Sequence, residues 1–153
     1  MAIKVQSTTP QLECKIQQTY QLAKALATRK PEQAIRHFNE IINLPKTVGE
    51  WLQDPHLPFV LDSCRQVISL IGNADKLLAD PHRFVTLAKC QVKLAELSPQ
   101  DAELRAFVKE QLQNILGFAI RATEGSPCRR AIVLEISATK SNYDHFLTKV
   151  NKA

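Results

Sequence analysis

Histidine and cysteine are the side chains from which a metal site, a proton relay or a nucleophile is usually built, and this chain holds four of each. His37, His56, His82 and His145 show no HExxH spacing, and none has a cysteine at metal-ligand distance in sequence. Cys14, Cys64, Cys90 and Cys128 are far apart, with no CxxC or CxxxC pair, which reads as free thiols in a reducing compartment. Gly49, Gly72, Gly117 and Gly125 are scattered singly, so no glycine-rich loop is present to cradle a phosphate. No nucleophile elbow of the GxSxG kind occurs, and neighbouring carboxylates fall only at cap and surface positions. The reading is no catalytic residue, no cofactor and no metal ligand; enzyme activity from residues far apart in sequence stays open, with a non-enzyme favoured.

Three sets of residues remain as candidate sites. Cys128 falls near an expected helix start and is followed by Arg129 and Arg130. A helix dipole and two cations there favour thiolate and make it the candidate reactive thiol, against the ordinary reading of a half-buried structural cysteine. Arg121, Arg129, Arg130, Lys140, Lys149 and Lys152, with Tyr143 nearby, form a candidate patch for nucleic acid or another polyanion. Trp51, His56 and Pro58 mark a candidate protein-binding edge, since tryptophan leads interface anchors when exposed, although it is more often core. His56 and His82 follow Asp-Pro in two echoing stretches and are expected as first-turn surface histidines on one edge. Solvent is the expected neighbour of His37, which points away from the apolar stripe carrying Phe38.

Charge adds a mild preference. The net charge is +5. Residues 1–54 carry seven Lys/Arg against five Asp/Glu, residues 55–120 seven against seven, and residues 121–153 six against three. The excess therefore sits at the two ends, a weak footprint for an anionic partner.

The elements that must position these residues are helices. The longest unbroken helical pattern is Ser98–Gly125, read with Ser98 as N-cap, Pro99 at the first position, Asp101 as the capping-box acid and Gly125 as a left-handed stop. Leu104, Phe107, Val108, Leu112, Ile115, Leu116, Phe118, Ala119 and Ala122 cover about half its circumference, so it is expected to be the central helix, touching neighbours on two sides.

In chain order, residues 1–8 read as an extended leader and 9–153 as a single all-helical domain. Thr9-Pro10 opens a helix to about Thr28, with Cys14 nearly opposite its apolar face; the Cys14 face is the one a homo-oligomer would bury. Pro31 opens the next helix, to about Leu44, with Ala34, Ile35, Phe38, Ile41 and Ile42 buried. The link of about three residues between them implies an antiparallel hairpin. Thr47-Val-Gly-Glu50 is a capping box for a short helix with Trp51 and Leu52. After a break at Asp54–Pro58, Phe59, Val60, Cys64, Val67, Ile68 and Ile71 share a face, Gly72 stops the helix, and residues 73–79 suit one more turn. Asp80-Pro81 begins a helix through Leu97 with Phe84, Val85, Ala88, Val92 and Ala95 as its stripe. Ala131–Ile136 is β-branched enough to be a strand and is assigned to helix because one strand pair in a helical chain is marginal. Ser141 and Asp144 read as a capping box starting a last helix. The total is seven or eight helices, a bundle or a right-handed stack of hairpins.

Residues 20–45, YQLAKALATRKPEQAIRHFNEIINLP, resemble a single tetratricopeptide unit: Ala34, Phe38 and Pro45 stand near that repeat's small, aromatic and proline positions. Leu22 departs from it, where the repeat prefers glycine, and a shift by the repeat length puts Ile68 and Gly72 under Ala34 and Phe38, so no second copy follows. A second echo is internal. Asp54-Pro55-His56-Leu57-Pro58-Phe59-Val60 and Asp80-Pro81-His82-Arg83-Phe84-Val85 each precede a cysteine and a Gln-Val pair, read either as a repeat or as two uses of a common helix start.

A helical fold without catalytic motifs is expected to be a non-catalytic adaptor or scaffold domain that binds another protein, by analogy of fold alone. Nucleic-acid binding through the basic C-terminal helices is the second expectation, and a homo-oligomer the third possibility. No apolar run approaches a membrane span, and no signal pattern opens the chain, so the expected location is cytoplasmic or nuclear.

Overall fold

The computed structural model describes residues 15–72 and 80–152, and every regular element among them is helical. There are seven: α1 (15–26), α2 (Pro31–Ile42), α3 (Val48–Leu52), α4 (Leu57–Ile71), α5 (Arg83–Glu96), α6 (Ala102–Ala122) and α7 (Arg129–Lys152). The expected leader, the start of the first helix with Cys14, and the turn at 73–79 lie outside the described residues. The chain divides into two compact units, Met1–Leu70 and Ile71–Ala153.

In the first unit Tyr20 ties three helices together. Its ring meets Phe38 of α2 edge-on at 6.2 Å and Phe59 of α4 at 5.0 Å, and its hydroxyl donates to Asp62 Oδ2 at 2.5 Å. Because Tyr20 lies six residues before the end of α1 and Phe38 seven residues past the start of α2, the contact fits an antiparallel hairpin, as the short link predicts. Pro31 occupies the first turn of α2, where its missing N–H is no loss. The buried residues of α2 are Ala34, Ile35, Phe38, Ile41 and Ile42, the whole expected stripe and nothing else. The capping box of α3 also forms: Thr47 Oγ1 accepts from Glu50 N, and Glu50 Oε1 accepts from Thr47 N, each at 3.1 Å. The Thr47 amide first, then the Thr47 hydroxyl and the Lys46 charge, hold the exposed Glu50 carboxyl below its ordinary value.

In the second unit α5, α6 and α7 pack against one another in all three pairings. The most enclosed is α5, which buries Phe84, Leu87, Ala88, Cys90, Gln91, Val92, Leu94 and Ala95. As expected, the helix within 98–125 touches neighbours on two sides, α5 and α7, but its buried stripe is narrower than the sequence suggests: α6 buries only Val108, Leu112, Ile115 and Ala119, while Phe107 and Phe118 stand exposed. The start of α6 is corrected too. Its N-cap is Asp101, whose side chain accepts from Leu104 N at 3.0 Å, and Ser98-Pro99 forms the preceding turn. Gly125 does take a left-handed φ of 77°.

Residues 129–152 form one helix, which settles Ala131–Ile136 as helix and overturns the expected new start at Ser141. Ser141 and Asp144 lie inside α7, where Asp144 pairs loosely with Lys140 at 4.0 Å. A Ser-x-x-Asp pattern caps a helix only if the chain before it turns away, and neither glycine nor proline is there to turn it.

Four helices are approached by the same turn. The N–H of Leu57, Arg83, Asp101 and Arg129 donates to the carbonyl of Asp54, Asp80, Ser98 and Ser126 respectively, at 3.0–3.2 Å, and a proline follows each acceptor. Proline at the second position pre-sets φ for such a turn, which leads the chain into the helix.

Candidate functional site

The edge expected to carry Trp51, His56 and Pro58 has its two large members inside. Trp51 is fully buried and His56 is 6% exposed; of the three, Pro58 alone lies at the surface. The cause is a cluster around Asp54. Its Oδ1 accepts from the His56 backbone N–H at 2.7 Å and lies 3.1 Å from His56 Nδ1, while Oδ2 pairs with Lys46. The Lys46 ammonium also stands 4.6 Å from the centre of the Trp51 ring, a cation–π contact. Phe59 stacks on the His56 imidazole at 5.7 Å. Among the described residues, Trp51 Nε1 finds no hydrogen-bond partner. Lys46 and Asp54 are the residues the sequence does not flag. The signal was present only as an Asp-Pro-His start with a lysine upstream, and nothing local brings Lys46 to it.

His82, in the matching turn of the second unit, is exposed, with its N–H on Asp80 Oδ1 at 3.2 Å. Asp80 instead pairs with Arg83 at 3.6 Å. His37 is half-buried, with Nδ1 3.6 Å from Glu40, rather than turned wholly to solvent. No group of three or more His, Cys, Asp or Glu able to hold a metal occurs among the described residues.

The expected basic patch divides. Arg121 ends α6 while Arg129 and Arg130 begin α7, so these three guanidinium groups flank one short turn, and all are exposed. Arg121 lies over Phe118 at 5.7 Å. Lys140 and Lys149 are carried away along α7, about 16 and 30 Å from Arg129 at 1.5 Å per residue, and face different sides. The Lys152 side chain lies outside the described residues. Tyr143 is a correction: expected beside the patch, it is fully buried and donates to the Arg105 carbonyl at 2.7 Å. Burial pushes its hydroxyl up to about 12, with Arg105 opposing and Glu96 and Asp144 adding.

Around Arg129 and Arg130 the surface is a groove of about 470 Å³ whose remaining lining is Ile120, Ser126, Pro127, Val133 and Leu134. Leu134 is 58% exposed. In helical register it falls two residues from Ile132 and two from Ile136, both buried, which puts it on the opposite side. The sequence carried this signal, hidden while 131–136 stayed open between helix and strand. Beside the groove, Cys128 is half-buried with Sγ 3.0 Å from Ser126 Oγ, and its carbonyl accepts from Ile132 N at 3.1 Å at the head of α7.

Compared with protein-family models, with curated proteins and with solved structures, the chain matches none. The tetratricopeptide likeness at 20–45 therefore stands on its own residues, of which Ala34 and Phe38 are fully buried. Among the described residues, no helix is long and apolar enough to cross a membrane.

Proposed function

We propose that the chain is a non-catalytic helical adaptor that binds another protein. What supports this reading is the distribution of large apolar side chains on the second unit. Phe107 and Phe118 on α6 and Leu134 on α7 remain exposed, Phe107 at 50%, on helices that bury their other faces well. Exposed apolar surface on an ordered helical scaffold is what a partner covers. Among the described residues Cys64, Cys90 and Cys128 form no disulfide, which suits a reducing compartment, cytoplasm or nucleus.

Affinity purification with mass spectrometry from the native source tests it. Recovery of a protein that rebinds the purified chain is the expected result; recovery of nucleic acid alone, or of no macromolecule, overturns the adaptor. A second reading, polyanion binding, is favoured by the Arg121, Arg129 and Arg130 grouping alone. A gel shift at about 50 mM salt that shows no retardation removes it.

A further inference from the structure

We propose that the groove between the end of α6 and the head of α7 takes an acidic, amphipathic segment of the partner protein, with apolar anchors against Ile120, Pro127, Val133 and Leu134 and carboxylates on Arg129 and Arg130. This rests on the adaptor reading and names its partner's chemistry.

Three observations on one surface carry it. The groove of about 470 Å³ is lined by aliphatic side chains and proline apart from Ser126 and the two arginines. Leu134 stands out of its own core at the groove's edge. Among the described residues, no carboxylate lies within ion-pair distance of Arg129 or Arg130; the next acid along α7, Glu135, is turned to Lys89 at 3.2 Å. Two open guanidinium forks therefore flank an apolar trough, and each fork matches a carboxylate in bidentate geometry. The positive end of the α7 dipole adds to the field without being needed for the fit. A phosphate backbone would satisfy the arginines and leave the aliphatic floor wet, so the groove as a whole fits a peptide that is both acidic and greasy. An amphipathic helix with anchors at i, i+3 or i+4, and i+7 has that character. Glu124, exposed in the connecting turn, is the acid that precedes the two arginines in sequence, and its charge would oppose an acidic ligand.

The test is selection of a random peptide library displayed on phage against the full chain, followed by anisotropy with a fluorescein-labelled representative. Enriched peptides should combine an acidic excess with Leu, Ile or Phe at helical spacing. Arg129→Gln with Arg130→Gln should weaken binding about tenfold. Leu134→Ala should weaken it by a similar factor, about tenfold. All three positions are exposed, so circular dichroism should show the helices intact. Glu124→Gln should tighten binding about twofold. Peptides that are neutral or basic, an empty selection, or equal binding to the triple variant would overturn the proposal. So would a short RNA duplex that displaces the peptide at equal or lower concentration, which assigns the arginines to phosphate. A native partner that binds the triple variant as well as the wild type removes this groove and leaves the adaptor standing. Failure to recover any protein partner removes the adaptor.

Discussion

Asp54-Pro55-His56 and Asp80-Pro81-His82 begin α4 and α5 with the same turn, the same side-chain acceptor for the histidine N–H, and a buried cysteine seven residues past each helix's first residue. They differ in what surrounds them. Around Asp54 stand Lys46, the Trp51 ring and Phe59, and the histidine is enclosed. Around Asp80 stands Arg83, and the histidine faces solvent. The turn is thus a common device, and what differs is the company its flanking residues bring: Lys46, Trp51 and Phe59 in one case, Arg83 in the other. The Ser98 and Ser126 turns make the same point, since they share the geometry without the histidine. A repeat is not needed to explain the echo.

The comparison breaks most readily at the acids. Asp54→Ala removes the partner of a largely enclosed ammonium and the Oδ1 that accepts from the His56 N–H and faces its Nδ1, and should cost about 3 kcal/mol. Asp80→Ala removes an exposed helix-start acceptor and should cost about 1 kcal/mol. Urea midpoints of the two variants decide it: equal losses would mean that the Lys46 pairing contributes nothing. At the histidines the gap narrows. His56→Ala leaves a void under Phe59 and should cost about 2 kcal/mol, whereas His82→Ala should stay within about 0.5 kcal/mol of wild type. A His82 variant as damaging as the His56 one would show that the second turn is enclosed after all.

These outcomes also measure what could be read without a structure. The α2 stripe and the Thr47 capping box follow from spacing and from groups three residues apart, so both were legible residue by residue. Asp101 was placed correctly as a capping residue but one role too late, because Ser98-Pro99 imitates a cap while forming the turn before it. Ser141 failed because the same pattern is tolerated inside a continuing helix. The enclosure of Trp51 and His56, and the arginine-flanked groove, depend on partners from other helices. Each set is close in sequence, Lys46 to Phe59 and Ile120 to Leu134, but spans two helices and the link between them, which no single helical stripe displays.

Each unit also holds one of the chain's two tyrosines as a structural donor. Burial first, and Asp62 second, push the Tyr20 hydroxyl to about 12; burial does the same for Tyr143. The unfolded chain releases these protons near 10, the ordinary value, so the folded state binds protons more tightly between 10 and 12. The stabilisation they give is complete below pH 10 and is lost as the pH rises toward 12. Native tyrosinate absorbance should therefore lag the urea-unfolded curve for both residues, and Tyr20→Phe or Tyr143→Phe should each remove half the amplitude. A native step near 10 in either single variant would show that the tyrosine left in place has no anchoring role.

The smallest effect separates a buried acid with a full set of partners from one without. Asp54 is met by an ammonium, an imidazole nitrogen and an amide. Glu96, half-buried at the end of α5, is pushed above its ordinary carboxyl value by burial, and the Lys93 charge only partly opposes this. A raised folded value means that the native state holds the proton longer than the unfolded chain. Stability from this group is therefore present below 4.5 and is lost as the pH rises past the raised value. At neutral pH the ionised Glu96 is a net cost, so Glu96→Gln should be slightly more stable than wild type at pH 7. The advantage should vanish below pH 4.5, where the carboxyl is protonated in both states. Denaturant midpoints across that range test the sign. An advantage that persists unchanged in acid would trace to packing, and a loss at pH 7 would mean that Lys93 compensates Glu96 as fully as Lys46 compensates Asp54.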